Sequence, residues 1–170
     1  MYSVNAPVSG DVERLASELF PTLTSFDSIR ERHSLLVKRL SDLEAARVGP
    51  DRLAERLRPV LRGTPAFEAR ISEIDYFVDP PRGPGPVVYL AVESPQLRRL
   101  HLRLVEEFGA VDDLEGESYV HHVTLARGGS VDAAARLAET EIEPITWTIS
   151  ELLLWNPEFH EVARRISLPA

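Results

Sequence analysis

The stretch Tyr119-Val-His-His-Val-Thr-Leu-Ala-Arg127 alternates polar and apolar side chains in a way that predicts a β-strand. Successive side chains of a strand point to opposite faces, so His122 and Thr124 share one face while Val123 and Leu125 lie on the other. An imidazole and a hydroxyl on one strand face can address the same small anion, because the imidazole transfers a proton while the hydroxyl donates to a phosphoryl oxygen. The same short pattern also occurs by chance in strands whose polar side chains only reach solvent, and that alternative stays open at this point.

A second stretch, Arg30-Glu-Arg-His-Ser-Leu-Leu-Val-Lys-Arg39, places four basic residues and His33 within ten residues of an acidic chain. The apolar residues between positions 29 and 40 predict one strand, and its local positive charge would attract a phosphate. The alternative is a strand with solvated charged ends. His33 and His122 occupy roughly equivalent places in the two halves, so a fold with internal two-fold symmetry can bring both imidazoles into one cleft. Two opposed histidines form an acid and base pair for phosphodiester chemistry that needs no metal.

The remaining elements follow from the spacing of apolar residues. Helical spacing predicts four helices, at 9–20, 50–62, 94–108 and 131–140, the first of which Pro21 should end. Alternation predicts further strands at 66–79, 87–92, 145–155 and 159–168. The first two form a hairpin, with a bulge near Ser72 and Glu73 where the alternation changes parity. The order strand, helix, strand recurs in both halves, and no linker rich in Gly or Ser separates them.

Composition excludes several classes of function. The 170 residues include 19 Lys and Arg against 27 Asp and Glu, and the net charge of −8 argues against sequence-independent coating of duplex nucleic acid. The chain has no cysteine, which excludes disulfides, iron–sulfur clusters, thiolate zinc sites and cysteine nucleophiles. No apolar run approaches the length of a membrane span, so we expect a cytoplasmic protein without membrane attachment. The sequence has no nucleotide-binding glycine loop and no cluster at metal-ligand spacing, so we expect no cofactor and no metal.

The segment His122-Val-Thr-Leu-Ala-Arg127 resembles the second signature of the two-histidine phosphoesterases, the superfamily of the 2'-5' RNA ligases and 2',3'-cyclic nucleotide phosphodiesterases. The resemblance extends to the Phe67-to-Val92 hairpin, the helix that follows Glu93-Ser-Pro, and the stretch Trp147-Thr-Ile-Ser-Glu-Leu. It implies one domain over residues 1–170, with an α+β fold of two pseudo-symmetric lobes. Each lobe is then an antiparallel sheet backed by helices, and a central cleft lies between the lobes.

The resemblance also implies a reaction and its residues. It implies metal-independent hydrolysis, or reversible ligation, of 2',3'-cyclic phosphate ends, in a monomer whose partners are RNA ends or small cyclic nucleotide phosphates. The catalytic residues that it implies are His33, His122 and Thr124. Lys38, Arg39 and Arg127 are candidate phosphate-binding residues by their charge, not by the resemblance, and strand alternation does not settle which of them enters the cleft.

The first signature departs from the family pattern, because Leu35 stands where Thr or Ser is expected and Ser34 comes one residue early. If residues 32–38 form a strand, Leu35 shares the face of His33 and lines the cleft, while Ser34 points away. A missing hydroxyl weakens an enzyme by about one to two powers of ten, so restoring it with Leu35→Thr should raise activity. The alternative is a non-catalytic module that binds RNA ends or nucleotides.

Overall fold

The computed structural model describes residues 1–40 and 42–170, and within 42–47 it describes the backbone only. The helices of this described part are α1 (Gly10–Leu23), α2 (Asp42–Leu61), α3 (Pro95–Phe108) and α4 (Val131–Ala138). Its strands are β1 (Ser3–Ala6), β2 (Ser28–Ile29), β3 (Leu35–Arg39), β4 (Phe67–Phe77), β5 (Val87–Glu93), β6 (His122–Arg127), β7 (Ile145–Ile149), β8 (Glu151–Asn156) and β9 (Glu161–Ser167). None of these helices is long and apolar enough to cross a membrane.

The strands form two antiparallel sheets, which confirms the predicted α+β class. One sheet has the order β3-β1-β8-β9 and the other the order β2-β6-β5-β4-β7. Apolar side chains from both sheets and from the helices pack into one hydrophobic core. The predicted strand at 145–155 is wrong as a single element, because the chain changes sheets at Ser150 and continues as β8.

Three of the helices illustrate how local sequence sets the element boundaries. Helix α1 runs past Pro21 to Leu23, contrary to the prediction, and the buried Leu23 anchors its last turn in the core. The predicted helix from Pro50 is the second part of α2, which is kinked at Gly49 with φ of 68°. Helix α3 begins as predicted, because the Ser94 hydroxyl accepts a hydrogen bond from the Leu97 N–H at 3.2 Å.

The hairpin of β4 and β5 is confirmed together with its bulge. The pairing shifts between Ile71 and Glu73, where the alternation of apolar residues changes parity. Ile71 and Ile74 are both buried, so the extra residue keeps the apolar side chains of β4 on the core side.

The single strand predicted over residues 29–40 is wrong, because this segment forms β2 and β3 in different sheets. Strand β2 pairs with β6, and β3 pairs with β1. The five residues from Arg30 to Ser34 are all polar and offer no alternating apolar face to bury. His33 therefore lies in the connection between two strands rather than on a strand.

Strand β3 carries a bulge that decides where its basic residues point. Its pairing with β1 jumps from Lys38 to Leu36, which leaves Val37 as the extra residue. Strict alternation from Leu35 would place Arg39 on the core face. The bulge interrupts that alternation, and Arg39 leaves the core face.

A candidate phosphate site around His122

Strand β6 holds His122 and Thr124 as the sequence predicts. Val123 and Leu125 are fully buried in the core, while His122 and Thr124 are half-buried on the opposite face. In the neighbouring strand, Tyr89 pairs with Thr124, and its ring lies 5.1 Å from the His122 ring.

His122 lines a pocket of about 200 Å³. The pocket is bounded by Phe77 and the turn that follows it, and by the loop at 113–120 that precedes β6. Arg39, at the end of β3, and Arg127, at the end of β6, also line it. The pocket thus collects residues from both sheets around one imidazole, while Thr124 lies on the same strand face as His122 but is not one of the lining residues.

The hydrogen bonding of His122 defines the tautomer of its neutral imidazole. Its Nδ1 lies 2.6 Å from the carbonyl oxygen of Val120, and because a carbonyl only accepts, Nδ1 carries the proton. Burial lowers the pKa of His122, and the positive charges of Arg39 and Arg127 lower it further, whereas the bond to Val120 opposes the shift. The neutral ring therefore has a lone pair on Nε2, which can accept a proton.

The two arginines of this pocket have unused hydrogen-bonding capacity. The Nη1 of Arg127 donates to the carbonyl of Arg82 at 2.8 Å. Within the described part of the chain, the buried Nε of Arg127 and the buried Nη1 of Arg39 have no hydrogen-bond partner. Buried donors without partners are costly, and an anion in the pocket would satisfy them. Burial, followed by the charges of Arg30 and Arg39, lowers the pKa of Arg127.

Lys38 does not reach this pocket, contrary to the expectation that it binds the phosphate. Its side chain and that of Glu115 are each 1% exposed, and they form an ion pair at 2.6 Å. Glu115 also accepts from the backbone N–H of Arg39 at 2.7 Å and from that of Val111 at 3.0 Å. Lys38 in turn donates to the carbonyl of Arg39. The buried pair thus holds the backbone of Arg39 on both sides.

His33 is likewise not brought into the pocket of His122. Its Nδ1 lies 2.7 Å from a carboxylate oxygen of Glu13, and it lines a separate depression beside α1. The predicted position of Leu35 in the cleft is wrong. Leu35 begins β3, pairs with Ala6 and is fully buried in the core. The first signature therefore places neither its histidine nor its third residue at this pocket.

Sequence reasoning did not assign Tyr119, His101 or Glu115 to the site, although Tyr119 lines the pocket and packs against His101. Tyr119 stacks on His101 at 4.7 Å between ring centroids, and its hydroxyl donates to the Leu36 carbonyl at 3.2 Å. His101 also accepts from the Gly116 N–H at 3.1 Å. The acidic loop at 112–117 was visible in the sequence, but no pattern distinguished Glu115 from its neighbours. In the described residues, no group of three His, Asp or Glu could hold a metal ion.

Several solved structures share this fold over nearly the full length of the chain. The Thermus thermophilus protein TT0787 has a TM-score of 0.65 at 19% identity, with 98% of this chain and 97% of that chain covered. Escherichia coli LigT complexed with 3'-AMP has a TM-score of 0.67 at 14% identity, with 99% and 98% covered. LigT complexed with NADP+ has a TM-score of 0.61 at 14% identity, with 98% and 93% covered.

Sequence comparison gives the family. No curated protein matches the chain at a significant level. The family model described as the 2'-5' RNA ligase superfamily matches residues 17–160, which is most of the chain. The chain therefore belongs to the 2'-5' RNA ligase superfamily, the group of phosphoesterases that its second signature resembles.

Proposed function

We propose that the chain hydrolyses 2',3'-cyclic phosphate ends of RNA or nucleotides in the pocket of His122. One observation carries this proposal: a neutral imidazole shares a pocket with two arginines, each of which has a buried nitrogen without a partner. The imidazole supplies a proton acceptor, and the guanidinium groups supply the charge that a phosphate requires. Family membership supports the same reaction class.

In the proposed reaction, the Nε2 of His122 takes a proton from a water molecule. The water oxygen forms a bond to phosphorus, and the bond between phosphorus and one ribose oxygen breaks. That ribose oxygen takes a proton from solvent and His122 returns its proton to solvent, so the product carries a phosphate monoester and a free hydroxyl. Arg39 and Arg127 stabilise the negative charge on the phosphoryl oxygens, and the Thr124 hydroxyl is the proposed third donor.

In a pocket with two histidines, the second histidine would protonate the leaving oxygen. His33 lines a different depression, so in the proposed reaction solvent supplies this proton. General acid catalysis contributes about 10²- to 10⁴-fold, so we expect slow turnover compared with a pocket that holds two histidines. Ligation would use the same groups with a 5'-hydroxyl in place of water as the nucleophile: the 5'-oxygen forms the bond to phosphorus, the bond between phosphorus and one ribose oxygen breaks, and no ATP is needed.

A second candidate function is the binding of RNA ends or nucleotides without turnover. The specific observation in its favour is that His33 lines a different depression and Leu35 lies in the core. The arginines and Thr124 would then hold the phosphate, and His122 would only donate or accept a hydrogen bond.

The experiment is incubation of the protein with 2',3'-cyclic mononucleotides and short cyclic-phosphate RNAs in EDTA, followed by product analysis. His122→Asn should lower turnover by about 10²- to 10⁴-fold. His160→Asn is the matched control, because His160 is an exposed histidine between β8 and β9. Turnover that survives His122→Asn would sink the enzymatic proposal. Tight binding without turnover in the wild type would establish the second candidate.

A further inference from the structure

The depression that His33 lines lies between α1 and the segment that leads to β3. Its volume is about 430 Å³, and its walls combine apolar and charged groups. Phe26 and Ile29 contribute apolar surface, while Phe20 stands at the rim with 53% of its surface exposed. A large exposed aromatic ring beside a depression offers a platform on which a planar ligand can stack.

The charged groups of this depression indicate what kind of planar ligand fits. Glu13 and Glu31 line it together with His33, whose side chain is only 8% exposed and is held by Glu13. Carboxylates repel a phosphate but accept hydrogen bonds from ring N–H and amino groups. A nucleobase has both the flat apolar faces and the N–H donors that this combination requires.

Arg30 connects the depression with the phosphate pocket. It lines the depression, and its backbone N–H donates to the Leu125 carbonyl at 2.8 Å in strand β6. Two residues earlier, Ser28 pairs directly with Arg127, which lines the phosphate pocket. The charge of Arg30 also depresses the pKa of Arg127, as expected for neighbouring guanidinium groups. Positive charge therefore continues from the pocket of His122 to the edge of the depression.

We propose that this depression is a base-binding subsite for the nucleotide next to the cyclic phosphate end, which makes the substrate an oligonucleotide end rather than a mononucleotide. The inference rests on the proposed function for the identity of the phosphate in the neighbouring pocket. Arg30 then contacts the connecting phosphodiester, Phe20 stacks on the base, and the carboxylates accept from its amino group.

Binding, rather than turnover, tests this subsite. The probes are adenosine 3'-phosphate and the adenine dinucleotide with the same terminal 3'-phosphate, each titrated calorimetrically. Stacking of one base on an aromatic side chain predicts that the dinucleotide binds roughly tenfold more tightly. Phe20→Ala should abolish this ratio, and Arg30→Gln should reduce it.

Phe159→Ala is the matched control, because Phe159 is an exposed phenylalanine, 66% accessible, in the turn before β9. This variant should keep the full ratio. A dinucleotide that binds no more tightly than the mononucleotide, or a ratio that persists in Phe20→Ala, would overturn the subsite. Failure of the mononucleotide to bind would count against the proposed function instead, so the two proposals fail in different ways.

Discussion

The chemistry proposed for His122 depends on its being neutral at the pH of the reaction. Burial and the charges of Arg39 and Arg127 lower the pKa of His122 below the 6.5 of a free histidine. A general base works only when unprotonated, so activity falls as the pH drops through this lowered pKa. We therefore expect the acid limb of kcat/KM, which reports the free enzyme, to lie below pH 6.5.

Arg39→Gln gives this prediction a second readout. Removing one positive charge from the pocket should move the acid limb to higher pH while it also weakens phosphate binding. The measurement is the pH profile of kcat/KM for wild type and variant on one cyclic mononucleotide. An acid limb above pH 6.5 in the wild type would contradict the assignment of His122 as the base.

Leu35 is the residue whose observed position differs most clearly from the one predicted from the sequence. Because Leu35 is fully buried, Leu35→Thr removes apolar contacts and buries a hydroxyl, at a cost of about 2–4 kcal/mol in the free energy of unfolding. We expect no gain in activity. Urea unfolding and steady-state kinetics measure both effects, with the exposed neighbour as the control variant Ser34→Thr. A stable Leu35→Thr protein with faster turnover would instead support the expectation that Leu35 lines the cleft.

At the scale of elements, the alternation of apolar residues predicted the features that it marks on both sides, and missed the bulge of β3, which it does not mark. The faces of β6 and the bulge of β4 could be predicted, because apolar residues follow the pleat on both sides of each feature. The bulge of β3 could not, since the consecutive apolar residues Leu35, Leu36 and Val37 show no change of parity that would mark it. The sequence consequently left open whether Lys38 or Arg39 enters the pocket.

The buried pair of Lys38 and Glu115 should dominate the stability of this region. Removing one partner leaves an unpaired buried charge, so Glu115→Leu should lower the free energy of unfolding by about 3–5 kcal/mol. Replacing both, with Lys38→Met and Glu115→Leu, should recover most of this loss. Glu151→Gln breaks the more exposed pair with Arg165 and should cost no more than about 1 kcal/mol.

Urea unfolding of the three variants measures these differences. If Glu115→Leu were as mild as Glu151→Gln, the pair would not hold Arg39 and the adjoining loop as described. The kinetics of Glu115→Leu should also show a raised KM, because Arg39 loses the support of its backbone N–H.

At the scale of the whole molecule, histidines whose pKa is lowered by burial make the stability of the fold depend on pH. Burial, then the charges of His101, His122 and Arg98, lowers the pKa of His121 to about 3. Burial also lowers the pKa of His101. The unfolded chain takes up protons near pH 6.5 that the native protein does not, so stability falls as pH decreases from 6.5 toward 3. His121 contributes up to roughly 1.4 kcal/mol per pH unit in this window, and His101 acts in the same direction.

His121→Leu should flatten this dependence, because it removes one of these groups, together with a buried Nε2 that has no hydrogen-bond partner among the described residues. The measurement is the free energy of unfolding against pH for the variant and the wild type. His160→Asn, at an exposed histidine, should leave the slope unchanged. Parallel curves for His121→Leu and wild type would show that His121 is protonated without cost in the native protein.

The overall class was predictable because the second signature and the hairpin lie in regular strands, and the family match now supports that class. The order of strands in the two sheets was not predictable, since β1 is only four residues long and β2 only two. The extent of the domain, residues 1–170, stays a prediction. So does the meeting of two histidines in one cleft, which the position of His33 does not support.

The buried ion pair also determines how the folded protein reacts with amine-directed reagents. Lys38 is the only lysine in the sequence, and its ammonium is enclosed with Glu115. A succinimidyl ester or reductive methylation therefore finds no side-chain amine on the native surface. Lys38 becomes labelled only when the loop around Glu115 opens or the chain unfolds, so the rate of its acylation reports the opening free energy at a single position.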